Sequence, residues 1–276
     1  MGGDRPELQA PPEIFYDSKE AQKYTSNKRI IEVQSTLTER ALELLHLPED
    51  GTPKLLLDLG CGSGLSGEIL EEAGHQWIGL DISEAMLSVA LERQVEGDLM
   101  LSDLGEGVPF RDGVFDGAVS ISAVQWLCNA DTTGSDPRRR MNGFFRTLYR
   151  CLSKNARAVL QVYPKDAQQS EMLTRAAMEA GFTGGLVVDY PNSTKARKSF
   201  LVLMVSSGPL PEAEGVNEAR EAMHVDVASR QNRSKKGKIR KKREWVLKKK
   251  ERMRSKGYED IPVDTKFTGR KRRPKF

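Results

Sequence analysis

The 276-residue chain has little with which to bind a metal, staple itself or cross a membrane. Its three cysteines, Cys61, Cys128 and Cys151, are odd in number and show no Cys-x-x-Cys spacing. They are expected to be reduced thiols of an intracellular protein, neither bridged nor zinc-bound. His46, His75 and His224 are scattered, so no His-containing zinc cluster is visible and no metal is expected. No Ser-His-Asp, Cys-His or paired-acid set stands out. The N-terminus lacks an apolar signal core, and no apolar run approaches the length of a bilayer span. A soluble chain with no membrane partner is the expectation. Hydrophobic residues make up 38% and charged residues 30%, so a packed core is expected over only part of the length.

What the chain does have is charge, unevenly placed. The net charge of +4 hides a split. Residues 229–276 carry 21 Lys and Arg against 5 Asp and Glu, a net of +16, which leaves residues 1–228 at −12. An acidic globule with a basic tail points to nucleic acid or an acidic membrane surface. The runs Lys235–Arg243, Lys248–Lys250 and Arg270–Arg273 carry few interleaved apolar residues, which favours phosphate binding and nuclear import over a membrane.

The stretch 55–64, Leu-Leu-Leu-Asp-Leu-Gly-Cys-Gly-Ser-Gly, organises the rest. Three leucines behind Pro53 suit a strand buried on both faces. Glycines at 60, 62 and 64 turn the chain and let a ligand approach bare backbone. Residues 65–73 then show helical spacing, with Leu65, Ile69 and Leu70 on one side. A second strand, 76–80, ends at Asp81, placed to accept hydrogen bonds from a ribose diol. Counted from Gly60, a dinucleotide fingerprint would need glycine at 65, where Leu65 stands, and no phosphate-reading Lys follows the glycines. Asp58 and Asp81 suit a ligand with positive charge and sugar hydroxyls better than a pyrophosphate.

The βα alternation continues with a helix over 84–93, a short strand at 99–101 followed by Asp103, and a strand at 115–121. A helix through Phe144, Phe145, Leu148 and Leu152 leads to a strand at 156–163. A helix at 166–180 and strands at 184–189 and 199–205 complete the pattern. Seven strands separated by helices make an α/β, doubly wound, Rossmann-like sheet. Residues 1–16 are expected to be disordered, 17–206 to form the ligand-binding domain, 207–228 an acidic linker, and 229–276 an extended or helical basic tail. Within the domain, one long helix over 19–45 precedes the first strand and could fold over the ligand as a lid.

The Asp-x-Gly-x-Gly-x-Gly pattern resembles motif I of class I S-adenosylmethionine (SAM) methyltransferases, and that resemblance supplies the cofactor. The set it implies is Asp58, Gly60, Cys61, Gly62, Gly64, Asp81, Ile82, Asp103, Leu104 and Ser120, with Tyr24 and Arg29 from the lid helix. Asp103 would accept the adenine amine and Leu104 would cover the ring. The fourth strand runs into residues 120–127, Ser-Ile-Ser-Ala-Val-Gln-Trp-Leu, where such enzymes place their acceptor-binding groups. The Asn-Pro-Pro-Tyr of amino-group methyltransferases is absent. Gln125, Trp126 and Tyr163 are the acceptor-pocket candidates, by positioning and not by acid–base work. Core packing is the competing role for Trp126.

Several blocks are narrower than the glycine loop. Residues 12–16 (Pro-Glu-Ile-Phe-Tyr), 120–129, 187–193 (Val-Val-Asp-Tyr-Pro-Asn-Ser) and 267–272 are similar to the eukaryotic small-subunit ribosomal RNA guanine-N7 methyltransferase family. The resemblance runs from Pro12 to Phe276. Ser63 stands where many of that family carry threonine, and either offers a hydroxyl. The resemblance implies SAM-dependent methylation of one guanine in small-subunit rRNA within a pre-ribosomal particle in the nucleus. It also implies a small zinc-binding activator subunit pairing along the Leu99–Leu101 strand. Two other readings stay open: a methyltransferase acting on a protein or small molecule, and an RNA-binding assembly factor whose fold is scaffold.

Overall fold

Five strands with apolar centres line up parallel because helices return the chain across their faces. The structure, a computed structural model, describes residues 5–48, 50–129, 136–193, 196–206, 208, 210–214, 247, 250 and 254. The chain divides into two compact units, Met1–Met223 and His224–Phe276. Nearly all of the second unit, the expected basic tail, lies outside the described residues, as does most of the expected acidic linker.

In the first unit the strands are β1 (Leu55–Leu59), β2 (Gln76–Asp81), β3 (Asp98–Leu101), β4 (Phe115–Ile121), β5 (Leu152–Val162), β6 (Thr183–Asp189) and β7 (Lys198–Met204). They form one sheet in the order β3-β2-β1-β4-β5-β7-β6, with β7 antiparallel to both its neighbours. The seven-stranded expectation holds. β1 lies inside the sheet between β2 and β4; Leu56, Leu57 and Leu59 are fully buried. Helices cover both faces: α1 (Pro12–Phe15), α2 (Ser18–Ser26), α3 (Lys28–Leu45), α4 (Leu65–Glu72), α5 (Glu84–Glu92), α6 (Pro137–Cys151) and α7 (Ala167–Glu179). One core layer joins Phe144, Phe145 and Leu148 of α6 to Leu57, Leu59 and Ala158 of the sheet. The other joins Leu37, Ala41 and Leu44 of α3 to Leu56, Val119 and Phe200.

Four expectations need correction. The segment expected to be disordered over 1–16 is described from residue 5 and holds a 3-10 turn at Pro6–Leu8 and α1 at Pro12–Phe15. Its prolines stand in the first turns, where a missing N–H costs nothing, so they start helices instead of preventing them. The single lid helix over 19–45 is two helices. Asn27 is extended (φ −75°, ψ 106°), and its side chain accepts from Arg29 N at 3.0 Å and Ile30 N at 3.3 Å, capping α3. Leu152, expected on a helix, opens β5 directly after α6 and pairs with Phe115.

The fourth concerns where the fold ends. It does not stop at residue 206, because residues 210–214 return to the β6 edge. Glu214 N donates to Asp189 Oδ1 at 2.7 Å, and Tyr190 N donates to Glu214 O at 2.8 Å. Arg40 clamps Asp189 at 2.9 Å and also donates to Glu212 O at 3.0 Å.

Candidate active site

The carboxyl ends of β1, β2 and β4 open into a cleft, as expected where strand order reverses on either side of β1. At Gly60 the loop leaves β1 with φ +77°, and a Cβ there would lie 2.2 Å from Ala123 Cβ. Only glycine satisfies both demands. Gly60 N and Cys61 N donate to Leu80 O at 2.7 and 3.1 Å, tying the loop to the end of β2. Asp81 completes the join: Oδ2 accepts from Gly62 N and Oδ1 from Ser83 N, both at 2.8 Å. Asp81 lines the cleft and, with about four lone-pair directions on its carboxylate, keeps acceptor capacity beyond these bonds. Burial raises the Asp81 carboxyl above its ordinary range.

Among the expected cofactor residues, Gly60, Cys61, Gly62, Asp81, Ile82, Asp103, Leu104 and Tyr24 line this cleft. Asp58, Gly64 and Ser120 do not. Asp58 sits beneath the loop, where its Oδ2 accepts from Ser66 Oγ, and burial pushes its carboxyl up to about 7. Gly64 caps α4 with φ +77° and abuts Val95. Ser120 is a correction, because its fully buried hydroxyl donates to Leu59 O at 2.6 Å and bridges β4 to β1. Asp103 accepts from Gly105 N at 2.8 Å and pairs with Arg140 at 2.7 Å, so the cleft meets a carboxylate already neutralised by α6. A correction is also due on spacing. Counted from Gly62, the glycines at 62, 64 and 67 do satisfy Gly-x-Gly-x-x-Gly, so spacing alone does not exclude a dinucleotide.

A second cavity, of about 420 Å³, adjoins the cleft and shares Tyr16, Tyr24, Gln34, Ser122 and Trp126 with it. Gln125 and Tyr163 line this cavity, as does Arg29, which was expected at the cofactor instead. Trp126 is nearly buried and meets Tyr16 at 6.0 Å and Phe15 at 6.1 Å between ring centroids, while Tyr16 meets Tyr24 edge-on at 5.8 Å. These rings form the partition. Burial and the nearby Asp81 charge push the Tyr16 phenol up to about 12, and burial raises Tyr24 further. Lys198 Nζ donates to the Tyr163 hydroxyl at 2.8 Å. Ser122 takes φ +60°, rare for a side-chain-bearing residue. All its polar groups are held: N donates to Gln161 O at 3.0 Å, Oγ to Gln161 Oε1 at 2.6 Å, and O accepts from Gln125 Nε2 at 2.9 Å.

Several wall residues carried no sequence signal of their own. Gln34 and Arg140 come from helices far along the chain, and Glu7 enters from the stretch expected to be disordered. Tyr16 stood inside a family-like block but was given no role. Ser63 shows that the cleft fits a polar ligand. Its residue is 1% exposed, it lines the cleft, and its Oγ has no hydrogen-bond partner. Such a group costs about 1–3 kcal/mol while it stays unpaired.

Comparison with known proteins follows the same lines. The family "Methyltransferase domain" matches residues 57–160, and the family "Methyltransferase involved in Williams-Beuren syndrome" matches residues 206–274. An 18S rRNA (guanine-N(7))-methyltransferase of Arabidopsis thaliana is 57% identical over 288 aligned residues, covering 99% of each chain. The Mus musculus protein of the same description is 54% identical, covering 99% of this chain and 98% of that one. Among solved structures, a SAM-dependent methyltransferase from Aquifex aeolicus superposes with a TM-score of 0.52 at 17% identity, over 69% of this chain and all of that one. At that identity the likeness concerns the fold alone.

Proposed function

The chain belongs to the 18S rRNA (guanine-N(7))-methyltransferase family, and from that premise we propose how its residues carry out the reaction. It is a SAM-dependent methyltransferase whose acceptor is N7 of a guanine in small-subunit rRNA. The observation that carries the assignment of parts is the pair of adjoining cavities with a common aromatic wall. One has a backbone cradle and a ribose-facing acid; the other has room for a base.

In the cleft, Asp81 accepts the ribose hydroxyls, the Gly60–Gly62 backbone lies against the cofactor chain, and Ser63 Oγ finds its missing partner. Asp103 and Leu104 hold the adenine. When bound, SAM supplies an electrophilic methyl group on a sulfonium. Guanine N7 brings its own lone pair and loses no proton, so the reaction needs no general base. That agrees with a site whose nearest acids are occupied by backbone donors or an arginine. The contribution of the chain is orientation: an in-line approach where the two cavities adjoin, beside Tyr16, Ser122 and Trp126, a kind of effect worth up to about 7–11 kcal/mol in well-aligned systems. Mapping N7-methylguanosine in small-subunit rRNA with and without the protein tests this. One guanosine should lose its methyl group, and an unchanged map would sink the proposal.

The zinc-binding activator is proposed to dock on β3, which among the described residues pairs only with β2 and ends the sheet. Leu101 on that strand is 58% exposed and Leu91 on α5 is 67% exposed, an apolar edge of the kind that partners cover. Leu101→Lys should abolish co-purification with the activator; a monodisperse, fully active lone chain would contradict the docking. The basic runs beyond Ser229 support a nuclear location and rRNA within a pre-ribosomal particle as the acceptor.

A further inference from the structure

The second cavity contains two acceptors that the methyl-transfer chemistry does not use. Gln125 is 5% exposed, and its amide orientation is fixed because Nε2 donates to Ser122 O. The atom left without a partner is therefore the acceptor, Oε1. Glu7 enters the same cavity from the N-terminal 3-10 turn with its side chain 10% exposed. That turn is latched down: Asn129 Nδ2 donates to Glu7 O at 2.8 Å, and Arg5 donates to Tyr163 O at 2.7 Å and to Glu7 Oε1 at 3.4 Å. Two carbonyl-type oxygens thus border a base-sized space whose near wall is aromatic.

We propose that this cavity selects guanine by its Watson–Crick edge, with Gln125 Oε1 and the Glu7 carboxylate accepting from N1–H and the N2 amine. The proposal rests on the guanine-N7 reading above and deepens it. N7 lies with O6 on the edge next to the Watson–Crick edge, and its lone pair points at about a right angle to N1–H. A guanine in the second cavity that turns N7 toward the cofactor cleft, with its face against the Trp126 and Tyr16 rings, keeps both donors within that cavity. Adenine in the same pose offers an acceptor at N1 and a C–H at C2, leaving both buried oxygens without a hydrogen. A site built to hydrogen-bond rejects an analogue that lacks the donor far more strongly than an apolar pocket rejects a change of size. Trp126 and Tyr16 supply a stacking face for any purine, so discrimination falls to the two oxygens.

The test uses the full chain and a small-subunit rRNA fragment carrying guanosine, inosine or adenosine at the position the wild-type chain methylates. Inosine keeps N7 and N1–H and loses only the N2 amine. The wild-type kcat/KM should fall about 10- to 100-fold from guanosine to inosine, as when one well-placed hydrogen bond to a base is removed, and adenosine should be inert. Of Glu7→Ala and Gln125→Leu, the variant that removes the partner of the N2 amine should bring the guanosine-to-inosine ratio toward one, and the variant that removes the partner of N1–H should lower both rates. SAM affinity by calorimetry should stay within twofold in both, since neither residue lines the cofactor cleft. A purely structural role for both residues would leave the ratio intact in both variants. The proposal is overturned if wild-type chain treats guanosine and inosine alike, or if both variants keep the wild-type ratio. Absence of any N7-methylguanosine product overturns the functional reading itself, and this selection with it.

Discussion

The cofactor cleft is lined mostly by the backbone of the Gly60–Gly62 loop and by residues at strand ends, Asp81 and Ile82. In the cavity beside it the lining groups are side chains on short turns: Glu7 on one 3-10 turn, Gln125 and Trp126 on another, with Tyr163 just past β5. The first is rigid because the sheet ladder holds it. The second is held by individual hydrogen bonds such as Asn129 to Glu7 and Gln125 to Ser122. A shared cofactor can be served by generic backbone geometry, whereas choosing a base needs side chains that differ between enzymes.

The sharpest way to separate the two regions is Gly60→Arg. Its Cβ alone would overlap Ala123, and its φ suits no side chain. SAM binding should fall below calorimetric detection while circular dichroism still reports a folded chain; retained binding would mean the cleft does not depend on backbone approach. Deleting residues 229–276 should come next in size, and on the other side of the comparison. The region that remains is net −12 and should repel RNA, so affinity should fall and its salt dependence flatten. The log–log slope should change by roughly 0.7 for each phosphate that the shortened chain leaves unneutralised. SAM affinity should not move, because the cleft lies within residues 12–140. Nuclear accumulation should fall as well. An unchanged slope would place the RNA anchor elsewhere, with Arg138 and Arg139 as the first candidates.

Asp81→Ala should weaken SAM binding about 10- to 100-fold, from loss of charge-assisted bonds of roughly 1.5–3 kcal/mol each. Unaltered affinity would remove Asp81 from the ribose site. The smallest effect is on stability against pH. The Asp58 carboxyl titrates near 7 in the fold and near 3.9 unfolded, so between these values the folded chain holds a proton that the unfolded chain has released. Its stabilisation is complete below about 3.9 and is lost as pH rises through about 7. Burial of Asp81 acts with the same sign. Melting temperatures of the cofactor-free protein should therefore decline from pH 5 to pH 7.5, and Asp58→Asn should reduce that slope. An equal slope in the variant would show that Asp58 is not the group responsible.

The same contrast explains what could be read from the chain. The sheet, the glycine loop and Asp81 were legible because buried strands demand apolar runs and the loop demands glycine at positive φ. The neighbouring cavity was legible only in part. Gln125, Trp126 and Tyr163 stood near strand ends, but Glu7 lay among prolines that signalled disorder and in fact start helical turns. The Arg140–Asp103 pair joins residues 37 positions apart, and no local pattern announces it. Ser120 misled because it lies on the right strand but one residue too deep, with its hydroxyl turned to Leu59. Asn27 was a cap signal inside a periodic stretch, where helical spacing on both sides masked it. Side-chain placement across distant elements leaves no period in sequence; backbone demands do.

The fold also fixes where associations can begin. β3 closes one edge of the sheet, while residues 210–214 are latched to Asp189 on β6 at the other. Six strand spacings of about 4.8 Å separate these edges, roughly 29 Å and more than three Debye lengths at physiological salt. A segment added along β3 would therefore leave the Asp189 latch at the other edge untouched. Substitutions at the two edges of the described sheet should change stability independently, and their effects should add.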